Sequence, residues 1–370
     1  MSFAKQLQRY GAPNLAICFN CGNCTAICPL SSESTSFPRK QIRYVQLGLE
    51  RKLLEVPDAW LCYYCADCSD TCPRKAEPGE IMMAIRRYMI AKYGGVIAKW
   101  LYTSRLFTTL FIGLTSLFAL FLITFFHGSI DMTSVRLFDF LPISSIELVG
   151  IALGIIIGVT ALYGFVKLGI NLHRGIPKSP TSTKPSVWKW VKGFFLTLVL
   201  EAFAQIRYFK CKEEGKRLRH VAIHVAPHLA MLWGFLGLLL TTALRFTIVP
   251  THGEVVPLTE PTRLLGIVCG ILLLYGSGMV IINRLLKIDK SDTYSTYTDW
   301  IFVILLFLSG VTGILLTVFH YASSPLWSYV TLSLHLIVVF ELILLAPFTK
   351  FIHSLYRAMA IWISRVHGYV

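Results

Sequence analysis

The sequence predicts a mostly α-helical protein in which a small cysteine-rich helical domain precedes a bundle of six membrane-spanning helices. A cysteine run written twice between residues 18 and 73 predicts the first part, and six apolar runs of about 20 residues predict the second. Composition agrees, because 55% of the 370 residues are hydrophobic. The net charge of +15 would also suit a nucleic-acid-binding protein. The apolar runs favour a different origin, positively charged cytoplasmic loops, so we expect no nucleic-acid partner.

The repeated run has the spacing C-x2-C-x2-C-x3-C-P. It comprises Cys18, Cys21, Cys24, Cys28 and Pro29, and again Cys62, Cys65, Cys68, Cys72 and Pro73. This spacing is typical of [4Fe-4S] clusters, and in two-cluster ferredoxins the fourth cysteine of each run ligates the other cluster. We therefore predict two clusters with crossed ligands. The first is held by Cys18, Cys21, Cys24 and Cys72, and the second by Cys62, Cys65, Cys68 and Cys28.

Two other interpretations of the cysteines are structural zinc sites and a disulfide framework. Zinc usually takes paired knuckles rather than four crowded cysteines. Met1 to Asn14 lacks the apolar core of a signal peptide, so no oxidising compartment is indicated, and we expect the domain to stay in the cytoplasm. The remaining cysteines, Cys211 and Cys269, are interpreted as ordinary thiols.

Two helices are predicted around the cysteine runs. One begins near Ser36, with an early proline, and has helical apolar spacing up to Glu50. The other extends from about Pro78 to Tyr93. Its arginines, Arg86 and Arg87, are expected on a solvated or partner-facing surface.

The segments SFPRKQIRYVQLGLE, AWLCYYCADCSDTCP and IMMAIRRYMIAKYG resemble the C subunit of heterodisulfide reductase, a two-cluster electron carrier. The resemblance covers roughly the first 95 residues.

Six spans are predicted at about 106–126, 147–168, 226–247, 264–284, 300–320 and 328–348. With an even number of spans and a cytoplasmic start, the C-terminus is also in the cytoplasm. We expect the spans to lie in the inner (cytoplasmic) membrane. The loop at 171–220 carries eleven Lys and Arg residues, which agrees with a cytoplasmic position. The predicted domains are 1–95 for the clusters, 96–170 for the first two spans, 171–225 for the basic linker and 226–370 for a four-helix membrane domain.

Within the basic linker, Pro177 to Pro185 is rich in proline and serine. Trp188 to Phe209 is amphipathic and is expected to lie on the membrane. The alternative, a seventh span, would reverse the topology against the charge bias.

Two histidines mark the end of the chain. His335 and His353 are eighteen residues apart, which is five turns of an α-helix, so we expect both on one helix face about 27 Å apart. Neutral imidazole is an axial haem ligand, and ionisable residues inside a membrane are functional candidates. The alternative for His353, which lies next to Lys350, is an ordinary interfacial histidine. Glu341 could relay a proton from a quinol, although we favour a protonated carboxyl that only packs.

The last span, with its ending Pro-Phe-Thr-Lys-x-x-His, resembles the haem b membrane subunit of respiratory nitrate reductase, whose family includes the E subunit of heterodisulfide reductase. The resemblance implies partner ligands on the third span, where His228 begins the best-aligned run and His224 is the reserve. His220 is expected with the basic interfacial cluster. The resemblance thus implies a cytoplasmic-side haem b on His228 and His353. The resemblance also implies an outer haem b on His335. Two haems are therefore expected, or one if the outer site is lost.

The outer site departs from the family pattern, because Leu238 stands where its second ligand is expected. His320, His127 and His252 are weak candidates for that ligand.

The order of the two modules resembles the C subunit of the quinone-interacting membrane-bound oxidoreductases. That resemblance implies electron transfer between menaquinone and cytoplasmic partners: two flavin-containing subunits similar to the A subunit of heterodisulfide reductase, and ultimately adenylylsulfate reductase. A rival hypothesis is a membrane anchor for a heterodisulfide- or sulfite-pathway reductase. Another, of a different class, is a membrane redox sensor, which does not need a transmembrane pair of haem-ligating histidines.

Overall fold

A computed structural model describes residues 2–32, 35–175, 185–209, 218–247, 257–288 and 293–369. Within these ranges the chain forms helices and turns, and the one extended pairing is an isolated bridge between Ser32 and Thr35. The helices of the N-terminal domain are α1 Phe3–Gln8, α2 Asn23–Ile27, α3 Arg39–Gln46, α4 Glu50–Glu55, α5 Asp58–Leu61, α6 Asp67–Asp70, α7 Pro78–Tyr93 and α8 Gly95–Thr103. The later helices are α9 Arg105–Phe126, α10 Leu137–Phe140, α11 Ile143–Gly175, α12 Val187–Thr197, α13 Ile206–Phe209, α14 Ala226–Thr247, α15 Pro261–Leu286, α16 Tyr297–Tyr321, α17 Pro325–Leu345 and α18 His353–Val366.

Six of these helical segments are long and apolar enough to cross a membrane. They are Arg105–Phe126, Ile143–Gly175, Leu218–Arg245, Pro261–Leu286, Tyr297–Tyr321 and Pro325–Phe348. The six predicted spans are confirmed, and the chain is a multi-pass membrane protein. Many apolar side chains on α9 and α11 are exposed, as expected of helices that face lipid.

The N-terminal domain and the membrane helices share one apolar core. Trp60, Ile85 and Tyr93 are fully or almost fully buried in it, together with Leu168 of α11 and Tyr356 of α18. The ring of Tyr356 packs edge-on against Trp60 at 5.6 Å and against Tyr93 at 5.8 Å. The domain therefore lies directly on the ends of the membrane helices.

Helices α14 and α15 pack closely because small residues line their contact. A Cβ atom on Gly234 would lie 2.6 Å from the backbone nitrogen of Leu273, and one on Gly276 would lie 2.5 Å from that of Met231. Such close backbone approach is the usual role of glycine between membrane helices.

The segment after the linker forms α12, a π-helical turn at Leu198–Phe203 and α13, and it is not among the six candidate spans. It packs against α18, where the indole of Trp362 donates to the Trp190 carbonyl at 2.9 Å and Arg365 pairs with Glu201 at 3.0 Å. Residues 176–184, which hold most of the predicted Pro177–Pro185 linker, lie outside the described residues, as do Cys211 and His252.

Two helix predictions need correction. The helix predicted over 36–50 is shorter, since α3 begins at Arg39 and ends at Gln46, and Gly48 then takes a left-handed backbone with φ of 72°. The helix that was to carry both His335 and His353 is interrupted. Pro347 has no backbone N–H and cannot donate a helical hydrogen bond, and Thr349 has an extended backbone. The helix therefore stops, and a new α-helix begins at His353. The prediction of one continuous helix face is therefore wrong.

Candidate metal centres

The two cysteine runs fold into loops of the same shape, 44 residues apart. Asn20 and Tyr64 occupy equivalent positions with φ of 56° and 61°, and Gly22 and Ala66 follow with φ of 94° and 68°. A short helix, α2 or α6, starts after each loop, and the Asn23 side chain donates to the Thr71 carbonyl at 2.5 Å between them. The sequence repeat is thus a repeat in backbone structure.

The first cavity brings together one predicted set of thiols. It has a volume of about 360 Å³ with its mouth included and is lined by Cys18, Cys21, Cys24 and Cys72, together with Arg39 and Arg74. Cys21 is exposed, and so is the Phe19 ring beside it, with the Arg74 guanidinium 4.3 Å above the ring centre. This cavity therefore reaches the protein surface.

The second cavity brings together the other set. It has a volume of about 460 Å³ with its mouth included and is lined by Cys28, Cys62, Cys65 and Cys68, with the apolar Phe37 and Met82. Cys62, Phe37 and Met82 are all buried. The thiols stand around each cavity instead of pointing at one common position. Accordingly, among the residues of the described ranges no group of three His, Cys, Asp or Glu side chains is arranged to hold a single metal ion.

The chemistry of the donors fits an iron–sulfur cluster in both cavities. Burial raises the pKa of Cys28 to about 12 and that of Cys62 to about 11, and it also raises the pKa of Cys68. These thiols are protonated at neutral pH until a metal displaces the protons. Backbone N–H groups already point at ligand sulfurs, since Tyr64 donates to Cys62 and Ala76 donates to Cys72, both at 3.3 Å.

A side chain from elsewhere braces each loop at the same place. In the first half, the Gln46 amide donates to the carbonyls of Leu15 and Cys18, both at 3.1 Å. In the second half, the Arg86 guanidinium donates to the equivalent carbonyls of Ala59, at 2.6 Å, and Cys62. Loss of hydration lowers the pKa of Arg86 to about 10, so it is still charged at neutral pH. The expectation of a solvated surface arginine is wrong here.

The neighbouring Arg87 points the other way, into the membrane domain. Its Nη2 lies 2.7 Å from Oδ2 of Asp299 on α16, and its Nη1 donates to the Tyr10 carbonyl at 3.2 Å. Both side chains of the ion pair are at most 5% exposed. The Lys350 ammonium adds a second contact to Asp299 at 3.6 Å. No local sequence pattern predicts the contact of Arg87 with Asp299, because the two residues are 212 positions apart.

His228 and His353 face each other at the ends of two helices. Their ring centres are 6.5 Å apart, close to the roughly 6 Å expected for two imidazoles at about 2 Å on either side of one metal ion. The Nδ1 atom of His353 bonds to the Lys350 carbonyl, which leaves Nε2 for a ligand. Burial, helped by the nearby His228, lowers the pKa of His353 to about 3, so its imidazole is neutral. Nδ1 of His228 is buried and has no hydrogen-bond partner in the described part of the chain. The pair fits a haem iron.

His224 and His220 lie about one and two turns before His228, in and beside a π-helical turn at Val221–Val225. Their rings are 5.3 Å apart, and Tyr208 lies against His220 at 5.2 Å and against His228 at 5.9 Å. His220 is only 6% exposed. Most of the basic cluster that it was expected to join, at 210–217, lies outside the described residues.

His335 is held by the fifth span rather than by another histidine. Its Nδ1 lies 2.8 Å from the Thr312 hydroxyl, and its ring covers Gly313. The weaker candidates lie elsewhere: His320 packs beside Tyr321 at 5.7 Å, and His127 is exposed and contacts the Gly128 carbonyl. The structure thus does not bring His335 together with either of them. Glu341, on the same helix, accepts a hydrogen bond from Ser116 of the first span at 3.0 Å and is 2% exposed.

Comparisons with known proteins concern the cysteine-rich part. Residues 14–76 match the 4Fe-4S dicluster domain family. The chain is 38% identical over 91 residues to a protein of Archaeoglobus profundus described as similar to the C subunit of heterodisulfide reductase; the match covers 24% of this chain and 48% of the relative. The chain thus spans about half the length of that curated relative. No solved structure matches. These findings make the N-terminal region an iron–sulfur electron-transfer domain attached to membrane helices.

Proposed function

We propose that the chain is the membrane electron-transfer subunit of a quinone-dependent oxidoreductase complex. Electrons pass between menaquinone in the bilayer, haem b in the helix bundle, two [4Fe-4S] clusters and soluble flavin-containing partners in the cytoplasm. Each bound group supplies one-electron chemistry, and this chain's residues hold the groups at neighbouring positions.

The two cavities support the proposed ligands of the clusters. Cys18, Cys21, Cys24 and Cys72 hold the first cluster, and Cys62, Cys65, Cys68 and Cys28 hold the second. The support is that each cavity is lined by three thiols of one run and the fourth thiol of the other.

The observation that carries the proposal is the contact between the second cavity and the histidine pair. Arg357 lies one helical turn after His353, and its guanidinium is 4.5 Å above the ring of Tyr63, which lines the second cavity. One turn of α18 therefore joins the residues of the second cluster to a ligand of the inner haem. His228 and His353 hold that haem, and His335 is the ligand proposed for an outer one.

The first cavity is the exchange point with a soluble partner. Its mouth carries the exposed Cys21 and Phe19, whereas the four cysteines of the second cavity are buried or half-buried. The partners implied by resemblance, two proteins similar to the A subunit of heterodisulfide reductase and then adenylylsulfate reductase, approach from this side. The basic loop at 171–220 supports a cytoplasmic position for the whole domain.

Cofactor analysis of the purified full chain tests the proposal. We expect eight iron atoms in clusters, haem b in the optical spectrum, and reoxidation of dithionite-reduced clusters by a menaquinone analogue. Cluster reoxidation that persists at full rate in a haem-free variant would contradict the electron route. Protein with clusters but no haem would favour the sensor hypothesis instead.

The crossed ligation has its own test. Cys72→Ser should alter the electron paramagnetic resonance signal that also responds to Cys21→Ser, and Cys28→Ser should alter the other signal. Cys269→Ser, a buried thiol between α14 and α15, is the matched control and should leave both signals unchanged. Uncrossed ligation predicts the opposite pairing of Cys72 and Cys28.

A further inference from the structure

We propose that Arg86 sets the reduction potential of the second cluster by placing a positive charge beside its Cys62 ligand. The inference rests on the proposed function in one respect, that the second cavity holds a [4Fe-4S] cluster. It concerns a residue outside the cysteine runs.

The two halves of the domain provide an internal comparison. Leu15 and Cys18 correspond to Ala59 and Cys62, and the carbonyls of each pair accept hydrogen bonds from one side chain. That side chain is the neutral amide of Gln46 in the first half and the guanidinium of Arg86 in the second. The brace is therefore the same in position and differs in charge.

The difference in charge matches a difference in solvation. Reduction adds one electron to a cluster, no bond forms or breaks, and the net negative charge of the cluster and its four thiolates increases by one. At the first cavity, water at the exposed Cys21 and the lining Arg39 and Arg74 stabilise that charge. At the second, none of the four thiols is exposed, and Cys62 is buried beside Phe37 and Met82, so water stabilises charge there less well and burial of an uncompensated charge is unfavourable.

Arg86 supplies that stabilisation beside Cys62, and Arg357 above the Tyr63 ring adds a second positive charge. The Arg86 guanidinium contacts the Cys62 carbonyl and also donates to the Trp60 carbonyl at 3.2 Å, so its position is fixed by α5 and the cysteine loop. Within the described residues its hydrogen bonds go to backbone carbonyls and to the Met83 sulfur rather than to a carboxylate, so the charge is not neutralised there. Nearby charge is one of the factors that set cluster potentials. Arg86 thus raises the reduction potential of the second cluster, which the apolar residues around Cys62 would by themselves lower.

Redox titration of the full chain, followed by electron paramagnetic resonance, tests this inference. Arg86→Gln, which copies the first half, should lower the midpoint potential of the second cluster so that its reduction equilibrium constant falls at least tenfold, or about 59 mV for one electron. The first cluster should be unchanged. Arg86→Lys keeps the charge and should restore most of the potential. The control is Arg51→Gln, which removes an exposed arginine from α4 and should shift neither cluster.

If the Arg86→Gln variant does not retain its second cluster, the same idea can be tested in the first half of the domain by the reverse substitution. Gln46→Arg should raise the midpoint potential of the first cluster. Unchanged potentials in variants that retain both clusters would overturn the role of Arg86. Equal potential losses in Arg86→Gln and Arg86→Lys would also overturn it, because they would indicate a structural brace only. Loss of the proposed function has a different signature, namely wild-type protein without two clusters.

Discussion

Arg87 and Asp299 form a buried ion pair across the boundary between the iron–sulfur domain and the membrane bundle. The guanidinium and the carboxylate are 2.7 Å apart, and Arg284 donates to the Asp299 carbonyl at 3.0 Å from the fourth span. Helix α7 is thereby fixed to the ends of α15 and α16. This contact, together with the shared core around Tyr356, explains how one chain holds the cysteine loops and the histidines of the membrane domain in fixed relation.

Breaking this ion pair should destabilise the whole protein. Asp299→Asn leaves the Arg87 charge buried without its partner, for which we expect a loss of about 3–5 kcal/mol in the free energy of unfolding. The double variant Arg87→Met/Asp299→Asn should recover part of the loss, since the buried Arg87 charge is gone and only the Lys350 ammonium has lost its contact with Asp299. Thermal unfolding in detergent measures both.

The matched control is the exposed pair of Arg51 and Glu55, which are 2.8 Å apart with the arginine side chain 87% exposed. Arg51→Ala should leave the melting temperature unchanged, because water and salt screen such a pair. Equal effects of Arg51→Ala and Asp299→Asn would contradict the importance of the buried contact.

Glu80 should make stability fall as pH rises. Burial raises the pKa of this carboxyl to about 8, against its ordinary value of 4.5, even though Arg87 and Lys350 lie nearby. Between these values the unfolded chain releases a proton that the folded chain retains, so folding is favoured at low pH and the advantage is lost up to about pH 8. Glu80→Gln should flatten this slope, which is at most about 1.4 kcal/mol per pH unit.

Unfolding measured between pH 5 and pH 9 tests the Glu80 prediction. We expect the Glu80→Gln variant to be more stable than wild type at pH 9 and similar to it at pH 5. A variant that loses the same stability at every pH would indicate that Glu80 acts through packing rather than through its proton.

The sequence predicted features that depend on local pattern, and these agree with the structure. Helix α7 has its predicted limits, Pro78 and Tyr93, because a proline can begin a helix and Gly94 follows its last residue. The six spans follow from apolar length alone. Arg86 and Arg87 were assigned to the surface because a charged residue normally is solvated, and their partners lie far along the chain.

The sequence pattern also does not predict the break between His335 and His353, although it contains Pro347. A proline near a helix end allows either a kink or a stop, and the extended Thr349 decides for a stop. The contact of His228 with His353 depends on this break and on the close packing of neighbouring helices. Periodicity along one helix carries no information on either.

The two cysteine loops should respond in opposite directions to exchange of glycine and alanine. Ala66 has a left-handed backbone with φ of 68°, which costs an ordinary residue about 1–2 kcal/mol, so Ala66→Gly should preserve or raise stability. Gly22→Ala meets the same strain, and its Cβ would lie 3.0 Å from the Arg39 guanidinium. Cluster retention under mild chelation measures both variants. Gly22 lines the first cavity and Ala66 the second. Faster loss of the second cluster in Ala66→Gly than in wild type, or no faster loss of the first cluster in Gly22→Ala, would contradict the prediction.

The histidine pair gives the sharpest prediction for the membrane domain. His228 and His353 come from different helices with ring centres 6.5 Å apart, so under the proposed function each is needed to hold the inner haem. His228→Ala and His353→Ala should each remove the same haem b from the optical spectrum, whereas His335→Ala should leave it and remove any second one. His127→Ala is the matched control. This histidine is exposed at the end of the first span, and its loss should not change haem content.

His320→Ala tests the ligand of the outer haem. If this variant loses the second haem, His320 is its ligand despite its contact with Tyr321. Full haem content in His228→Ala would overturn the inner assignment. A single haem in the wild type, lost in His228→Ala and retained in His335→Ala, would mean that Leu238 marks a lost outer site.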